Sequence, residues 1–154
     1  MGIDPGLAAT GVGFVTGRKQ TIRSFAHGCI KTPTNLTVPD RLEMIYAQIM
    51  QLLQKELPDL IVIEDAFILK DNPRSGLSLG KVIGVIMLAA SRQKTAVLEV
   101  SVRSAKQVLT GNGNASKTQL EGAVRRFLKS DEPISPAHAS DALALALLGL
   151  FRDL

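Results

Sequence analysis

Leu60-Ile61-Val62-Ile63-Glu64 is a run of four branched apolar residues followed directly by a carboxylate. Because no polar residues alternate with the apolar ones, the run predicts a strand that is buried on both faces. Glu64 then lies at the carboxyl end of that strand, where open α/β sheets bind their ligands. A carboxylate in that position is costly unless it is paired, hydrogen-bonded or bound to a cation. Asp65 should point to the opposite face, and we interpret it as structural.

The segments around this run predict an α/β fold. Strands are predicted at Gly2 to Gly6, Thr10 to Val15, Thr21 to Ile30, Leu60 to Ile63 and Ala96 to Val100. The spacing of apolar residues predicts helices at Val38 to Leu57, Ser78 to Ser91, Val102 to Leu109, Ser116 to Lys129 and Pro136 to Phe151. Ser135 is the expected N-cap of the last helix. Three early strands, close enough to pair as antiparallel hairpins, then alternating helix and strand, indicate one sheet with helices on both faces.

Composition is typical of a soluble, single-domain protein. The 154 residues are 45% hydrophobic and 21% charged, which suits one domain with a proper core. The sequence contains no apolar run long enough to span a bilayer and no signal-peptide pattern, so we expect a cytoplasmic protein. A single cysteine, Cys29, excludes an internal disulfide, and the sequence has no cysteine and histidine cluster of the kind that holds structural zinc.

The charge balance is weak evidence for a polyanionic partner. Lysine and arginine number 18 against 14 acidic residues, a formal net charge of +4. Basic side chains displace condensed counterions from nucleic acid, although many basic proteins bind none. Tryptophan is absent and Tyr46 is the single tyrosine, which disfavours a broad aromatic platform for single strands.

Three more side chains could join Glu64 in one site. Asp4 ends the first predicted strand, although Asp-Pro-Gly at this point is equally well explained as a turn. His138 and Asp141 are three residues apart at the start of the last helix and share a face, where an aspartate often serves only the helix dipole. Carboxylate oxygens with one imidazole suit Mg²⁺ or Mn²⁺ better than zinc. Two such ions about 4 Å apart can support phosphodiester hydrolysis, so convergence of these segments predicts a metal-dependent nuclease.

Several ordered motifs resemble the RuvC family of Holliday junction resolvases, which has a ribonuclease H-like fold. The motifs cover nearly the whole chain and are Gly2 to Gly6, Ile63 to Phe67, Leu79 to Gly84, Lys106 to Gly111, Gly113 to Gln119 and His138 to Ala144. The resemblance implies a single nuclease domain over residues 1–154, with a mixed sheet of three antiparallel strands followed by parallel ones. It also identifies the catalytic metal ligands, for two Mg²⁺ or Mn²⁺ ions, as Asp4, Glu64, His138 and Asp141.

The resemblance further implies a homodimer that nicks two opposed strands of a four-way junction symmetrically and leaves 5′-phosphate ends. RuvA and RuvB, which drive branch migration, are the implied protein partners. A two-fold dimer matches a two-fold junction geometrically. The predicted helix Val38 to Leu57 is a candidate dimer element, and its interpretation as an ordinary core helix is equally open.

The resemblance also assigns contacts with DNA. Phe67 begins a predicted loop, Phe67 to Gly76, and is expected to stack on a base beside the cut. Lys70 and Arg74 in the same loop are expected to hold phosphates. Without the resemblance, the phenylalanine would be interpreted as a core residue and the two cations as solvated surface charges.

Two further lysines are implied in DNA binding. Lys117, at the start of a predicted helix, matches a family lysine near the scissile phosphate, where it could stabilise developing negative charge. Lys106 matches another basic position of the family. Both would otherwise be interpreted as surface charges.

His138 is a departure from the family pattern, because many members have aspartate at this position. Three carboxylates rather than four then remain for the metal. We therefore expect weaker attraction of Mg²⁺ and relatively better use of Mn²⁺, since imidazole suits the softer ion.

Three other functions compete with a junction resolvase. A ribonuclease H-like nuclease could act on RNA–DNA hybrids or flaps, and a non-catalytic relative could bind junctions without nicking them. An actin-like ATPase shares the broad fold and an Asp-x-Gly turn, but the chain is too short for two such domains. The chain also lacks the phosphate-binding glycine loops of such an ATPase, and Gly111 and Gly113 are interpreted as a flexible turn.

Overall fold

The computed structural model describes residues 1–19, 21–65 and 73–152, without the side chains of Pro73 and Arg74. The elements along these residues are β1 (Gly2–Asp4), β2 (Ala9–Arg18), β3 (Thr21–Lys31), α1 (Val38–Glu56), β4 (Leu60–Glu64), α2 (Pro73–Arg92), β5 (Ala96–Val100), α3 (Val102–Thr110), α4 (Lys117–Leu128) and α5 (Ala137–Phe151). Each predicted strand and helix is confirmed in type and order. Most bounds differ by only a few residues.

Three helix starts differ from the prediction, that of α4 by a single residue, since it begins at Lys117 rather than Ser116. Helix α2 begins at Pro73 rather than Ser78, so the end of the predicted Phe67 to Gly76 loop is helical. Helix α5 begins at Ala137, and Pro136 rather than Ser135 occupies its N-cap position. Pro136 makes no side-chain cap hydrogen bond, but its carbonyl accepts from the backbone amide of Ala139 at 2.9 Å.

The five strands form one mixed sheet in the order β3-β2-β1-β4-β5. Strands β1, β2 and β3 pair antiparallel, whereas β1 with β4 and β4 with β5 pair parallel. The predicted sheet of early antiparallel strands followed by parallel ones is thereby confirmed. Strand β1 is central, and its register places Ile3 beside Ile63 of β4. The last residues of these two parallel strands, Asp4 and Glu64, therefore lie at the same edge of the sheet.

Helices cover both faces of the sheet. Ile3, Ile61 and Ile63 are fully buried on the face that packs against α1 and α2. Val62, of opposite pleat, is buried with Val100 on the face that packs against α5. Burial on both sides explains why the 60–63 run has no alternating polar residue.

One apolar stretch of α2, Ser75–Arg92, is long and hydrophobic enough to cross a membrane by length and composition alone. Val82, Ile86 and Ala89 of this stretch are fully buried in the core shared with α1. The inward face of α2 is therefore that of a core helix.

Candidate active site

Glycines in the sheet bring α5 to the carboxyl edge of β1. A β-carbon placed on Gly11 would lie 2.0 Å from the carbonyl oxygen of His138, and one on Gly13 would lie 2.7 Å from the amide nitrogen of Leu143. No side chain can be accommodated at such distances, so α5 lies directly on the backbone of β2. The predicted strand Thr10 to Val15 contains both glycines, but its sequence alone does not reveal that a helix packs on them. The alternating Gly-x-Gly was the available signal.

The last helix and the central strand meet at Asp4 and His138. The imidazole Nδ1 of His138 lies 2.6 Å from Oδ2 of Asp4. With the carboxylate ionised, the Nδ1–H group is the donor. The Asp4 side chain is 11% exposed and that of His138 is 49% exposed, so the pair joins a buried acid to the surface of the site.

Glu64 is the second carboxylate at this edge. Burial, followed by the negative charge of Asp4, raises the pKa of Glu64 to about 7. The pKa of Asp4 is also raised, first by burial, against the opposing effect of its hydrogen bond with His138. Both shifts follow first from burial and then from the nearby negative charge of neighbouring carboxylates. A bound cation would offset that negative charge.

Lys117 and Asp141 form the other ionic contact of the site. Lys117 is the first residue of α4, and its Nζ lies 3.3 Å from Oδ2 of Asp141 in α5. The helix start is fixed by a capping box in which the side chains of Ser116 and Gln119 each bond the other's backbone amide. Asp141, first among the causes, raises the pKa of Lys117, which therefore stays a cation. Its side chain is 78% exposed, so the ammonium group remains available to a ligand.

The donor set suits a divalent metal, although the described residues do not form a closed metal cage. Among residues 1–19, 21–65 and 73–152, no three histidine, cysteine or acidic side chains are arranged to hold an ion as they stand. The side chains of Asp4 and His138 are in direct contact, so they would have to separate for both to bind one ion. The three carboxylates and one imidazole nevertheless form an oxygen-rich set of ligands, the kind expected for Mg²⁺ or Mn²⁺.

The predicted DNA contacts fall in different parts of the chain. Phe67 and Lys70 lie outside the described residues, and Arg74 is described only as backbone in the first turn of α2. Lys106 is half-buried on α3, where its carbonyl accepts from the hydroxyl of Thr110 at 2.7 Å. Of the five implied contacts, the structure brings Lys117 alone into contact with a predicted metal ligand among the described residues.

The turn before α4 is hydrogen-bonded, whereas the sequence suggested a flexible one. The side-chain amide of Gln107 donates to the carbonyl of Gly111, and its oxygen accepts from the amide of Gly113, both at 3.0 Å. Asn112 Oδ1 also accepts from the amide of Asn114 at 2.9 Å. These hydrogen bonds order the chain segment that leads into α4 and Lys117. Gln107 lies within the Lys106 to Gly111 motif, but its contacts with Gly111 and Gly113 depend on how the turn folds back on α3.

Comparison with known proteins identifies a family. A family model described as crossover junction endodeoxyribonuclease RuvC matches residues 1–148. The RuvC protein of Mannheimia succiniciproducens is 39% identical over 148 residues, which cover 96% of this chain and 72% of that protein. The RuvC protein of Serratia proteamaculans is 40% identical over 148 residues, covering 96% and 83% of the two chains.

Solved structures give the same result. A Thermus thermophilus RuvC structure superposes with a TM-score of 0.87 at 29% identity, over 97% of this chain and 92% of that one. Thermus thermophilus RuvC in complex with a Holliday junction substrate superposes with a TM-score of 0.91 at 29% identity, over 97% and 91%. The ribonuclease H-like fold expected from the motifs is thereby confirmed.

Proposed function

Since the chain belongs to the RuvC family of crossover junction endodeoxyribonucleases, we propose that Asp4, Glu64, His138 and Asp141 form the site with which it cuts DNA. The protein is a metal-dependent endonuclease that resolves Holliday junctions in recombination and repair. The observation that supports the site most directly is the meeting of Asp4, at the end of the central strand, with His138 of α5 at 2.6 Å.

Mg²⁺ or Mn²⁺, as two ions, is our proposal for the cofactor. When bound, such ions supply an activated water and stabilise charge on the leaving oxygen. Asp4, Glu64 and Asp141 would contribute carboxylate oxygens, and the low exposure of the Asp4 side chain, 11%, limits competition from water for that ligand. His138 contributes a ring nitrogen only as neutral imidazole, because a protonated ring has no free lone pair. The contact of its Nδ1 with Asp4 holds the imidazole ring at the site.

Lys117 is proposed to act on the phosphate. Its side chain is 78% exposed, and Asp141 at 3.3 Å holds the ammonium group beside the carboxylates. A cation in this position stabilises the negative charge that develops on the phosphate oxygens during hydrolysis. Asp141 therefore has two tasks in this proposal, as a metal ligand and as the group that orients Lys117.

A homodimer is proposed because symmetric nicking of opposed strands requires two active sites related by a two-fold axis. The exposed face of α2 offers a surface for it: Leu77 and Leu88 are 64% and 52% exposed. Gly80 and Gly84, between them, have open space where side chains would be, which allows close approach of another helix. Leu77 precedes Gly80 by three residues and Leu88 follows Gly84 by four, so an antiparallel pairing of two α2 helices would bring each Leu77 close to a Leu88.

Helix α1, the predicted candidate for dimerisation, packs its apolar face into the hydrophobic core. Ile45, Ile49 and Leu53 are at most 1% exposed. This supports its interpretation as a core helix, so α2 is the better candidate. RuvA and RuvB are proposed as protein partners on the family likeness alone.

The proposed site is tested by incubating the protein with a mobile synthetic four-way junction in Mn²⁺, beside Asp4→Asn and Asp65→Asn. Asp65 is exposed and directly follows Glu64, so its variant is a matched control for loss of one acidic charge. We expect paired symmetric nicks from the parent and from Asp65→Asn. We expect none from Asp4→Asn, which should still bind the junction.

Two results would redirect the assignment. Equal or faster cleavage of a linear RNA–DNA hybrid would favour a hybrid nuclease. Junction binding without cleavage in any divalent metal would favour a non-catalytic binding protein.

A further inference from the structure

Buried polar side chains are concentrated around Asp4. Among the described residues, the polar or charged side chains that are buried belong to Asp4, Thr10, Thr32 and Ser140. Both threonines bond to residues 5–8, the short connection that follows Asp4 and leads into β2. Two of the three buried hydroxyl groups among the described residues therefore serve the connection next to the proposed metal ligand.

Thr10 fixes the first half of the connection. Its hydroxyl donates to the carbonyl of Gly6 at 2.8 Å, and the amide of Gly6 lies 3.4 Å from the same oxygen. Thr10 is fully buried, so water does not compete for these contacts. A β-carbon on Gly6 would lie 2.4 Å from the carbonyl oxygen of Ala9, which shows how tightly the turn is wound.

Thr32 fixes the second half. Its hydroxyl donates to the carbonyl of Leu7 at 2.5 Å, and its amide donates to the carbonyl of Ala8 at 3.2 Å. Thr32 directly follows β3 and is 6% exposed. Two consecutive carbonyls of the connection are therefore held by one residue, which directly follows β3.

Arg41 determines the direction in which the Thr32 hydroxyl points. The Nε–H group of Arg41, in the first turns of α1, donates to Thr32 Oγ1 at 2.8 Å. A guanidinium group can only donate, so the hydroxyl hydrogen must point elsewhere, and the carbonyl of Leu7 accepts it. The chain of contacts runs from Arg41 through Thr32 to Leu7, three residues beyond Asp4.

We propose that Thr32 and Arg41 are a positioning pair that holds residues 5–8 and thereby fixes the carboxylate of Asp4 for metal binding. The proposal rests on the proposed role of Asp4 as a metal ligand. Within the sheet, the backbone of Asp4 is held by its pairing with Gly11 of β2. The contacts of Thr32, together with those of Thr10, hold the residues that follow Asp4, and loss of the Thr32 contacts would let the carboxylate shift. Groups that orient a metal ligand typically contribute about 10- to 100-fold to affinity or activity.

The test compares Thr32→Val, which keeps the shape but loses the hydroxyl, with Thr32→Ser, which keeps the hydroxyl. Thr16→Val is the matched control, because the Thr16 hydroxyl also makes a close contact, 2.6 Å from Ser24 Oγ, but at an exposed position of β2. Two readouts are needed. One is the junction cleavage rate as a function of Mn²⁺ concentration, and the other is the increase in melting temperature that Mn²⁺ causes without DNA.

Thr32→Val should cleave about tenfold more slowly and require about tenfold more Mn²⁺ for half-maximal rate and for half-maximal thermal stabilisation. Thr32→Ser and Thr16→Val should remain within about twofold of the parent. Arg41→Met should act in the same direction as Thr32→Val, and the double variant should add little, since both act through one hydroxyl.

A purely structural role would lower the melting temperature of Thr32→Val without changing its Mn²⁺ dependence, and that result would overturn the proposal. An equal Mn²⁺ dependence for Thr32→Val and Thr32→Ser would also overturn it. If the parent itself did not cut junctions, the proposed function would fail. The Mn²⁺-dependent thermal shift would still decide the role of the pair.

Discussion

The imidazole Nδ1 of His138 lies 2.6 Å from the carboxylate Oδ2 of Asp4, although 134 positions separate the two residues in the sequence. The contact joins the first turn of α5 to the end of the central strand. In the proposed metal site, this contact would place a borderline nitrogen ligand beside a hard oxygen ligand, a combination that favours a different metal from an all-carboxylate site.

The first prediction concerns metal preference. His138→Asp should raise the cleavage rate in Mg²⁺ relative to Mn²⁺ by about tenfold, because a fourth carboxylate attracts the harder ion more strongly. The measurement is the ratio of single-turnover junction cleavage rates in the two metals at matched free concentrations. A parent enzyme that cuts as fast in Mg²⁺ as in Mn²⁺ would contradict the assumed handicap of histidine.

The second prediction concerns the contact between α5 and the sheet. Gly11→Ala should lower the free energy of unfolding by about 1–3 kcal/mol, because its β-carbon would meet the carbonyl oxygen of His138 at 2.0 Å. Cleavage should fall as well, since His138 must move. Gly28→Ala on β3 is the matched control: its β-carbon would meet only Val12 Cγ2, at 3.6 Å. Urea unfolding measures both variants, and equal losses would show that α5 does not depend on Gly11.

Most of the fold could be predicted from the sequence, because the burial of a strand and the buried face of a helix both follow from the spacing of apolar residues within a short segment. The apolar run before Glu64 predicted a strand covered on both faces, and Val62 and Ile63 lie on opposite faces as expected. The start of α2 was placed too late because Pro73 and Gly76 resemble loop residues. Proline is nevertheless well tolerated in a first helical turn.

The candidate site was harder to predict, because its contacts join distant segments. The four proposed ligands were found through carboxylates at strand ends together with the family motifs. Neither signal could reveal the Arg41, Thr32 and Leu7 contacts, since a buried threonine and a helix arginine have no distinctive spacing. The glycine at position 11 is evident in the sequence, but its role in allowing close packing of α5 can be recognised only once the position of α5 is known.

The third prediction concerns pH in the absence of metal. Glu64 has a pKa of about 7 in the folded protein against an ordinary value of 4.5, so the folded state retains a proton that the unfolded chain has lost. Its contribution to stability is therefore complete below about pH 4.5 and is lost as the pH rises through about 7. Urea unfolding in EDTA from pH 5 to 8 should show this decline, and Glu64→Gln should reduce it.

Asp65→Asn is the control for the pH experiment, because this neighbouring carboxylate is exposed. Added Mn²⁺ should weaken the decline, since metal binds the ionised carboxylate. Parent and Glu64→Gln curves with the same pH slope would show that the carboxylate is not held in a charge-poor environment.

The fourth prediction concerns self-association. Leu77→Glu together with Leu88→Glu should convert the protein to a monomer, because the introduced charges would be buried in the proposed α2 interface. Sedimentation velocity measures the change in mass. Leu57→Glu is the control, since this leucine at the end of α1 is also exposed, at 74%. A variant that remains dimeric with both glutamates would place the interface elsewhere, and a monomeric Leu57→Glu would return attention to α1.

The fifth prediction separates the role of Lys117 in chemistry from a role in binding. Lys117→Met should lower the single-turnover cleavage rate by about 10²-fold, because the developing charge on the phosphate loses its nearby cation. Junction affinity without divalent metal should change little, since one exposed lysine contributes only a small share of the total electrostatic attraction.

Lys55→Met is a close control: Lys55 is 79% exposed, pairs with Glu56 at 3.1 Å, and lies near the end of α1. If Lys117→Met lost affinity and rate in the same proportion, the lysine would be a DNA-binding residue. A full rate in Lys117→Met would show that this lysine does not act on the scissile bond.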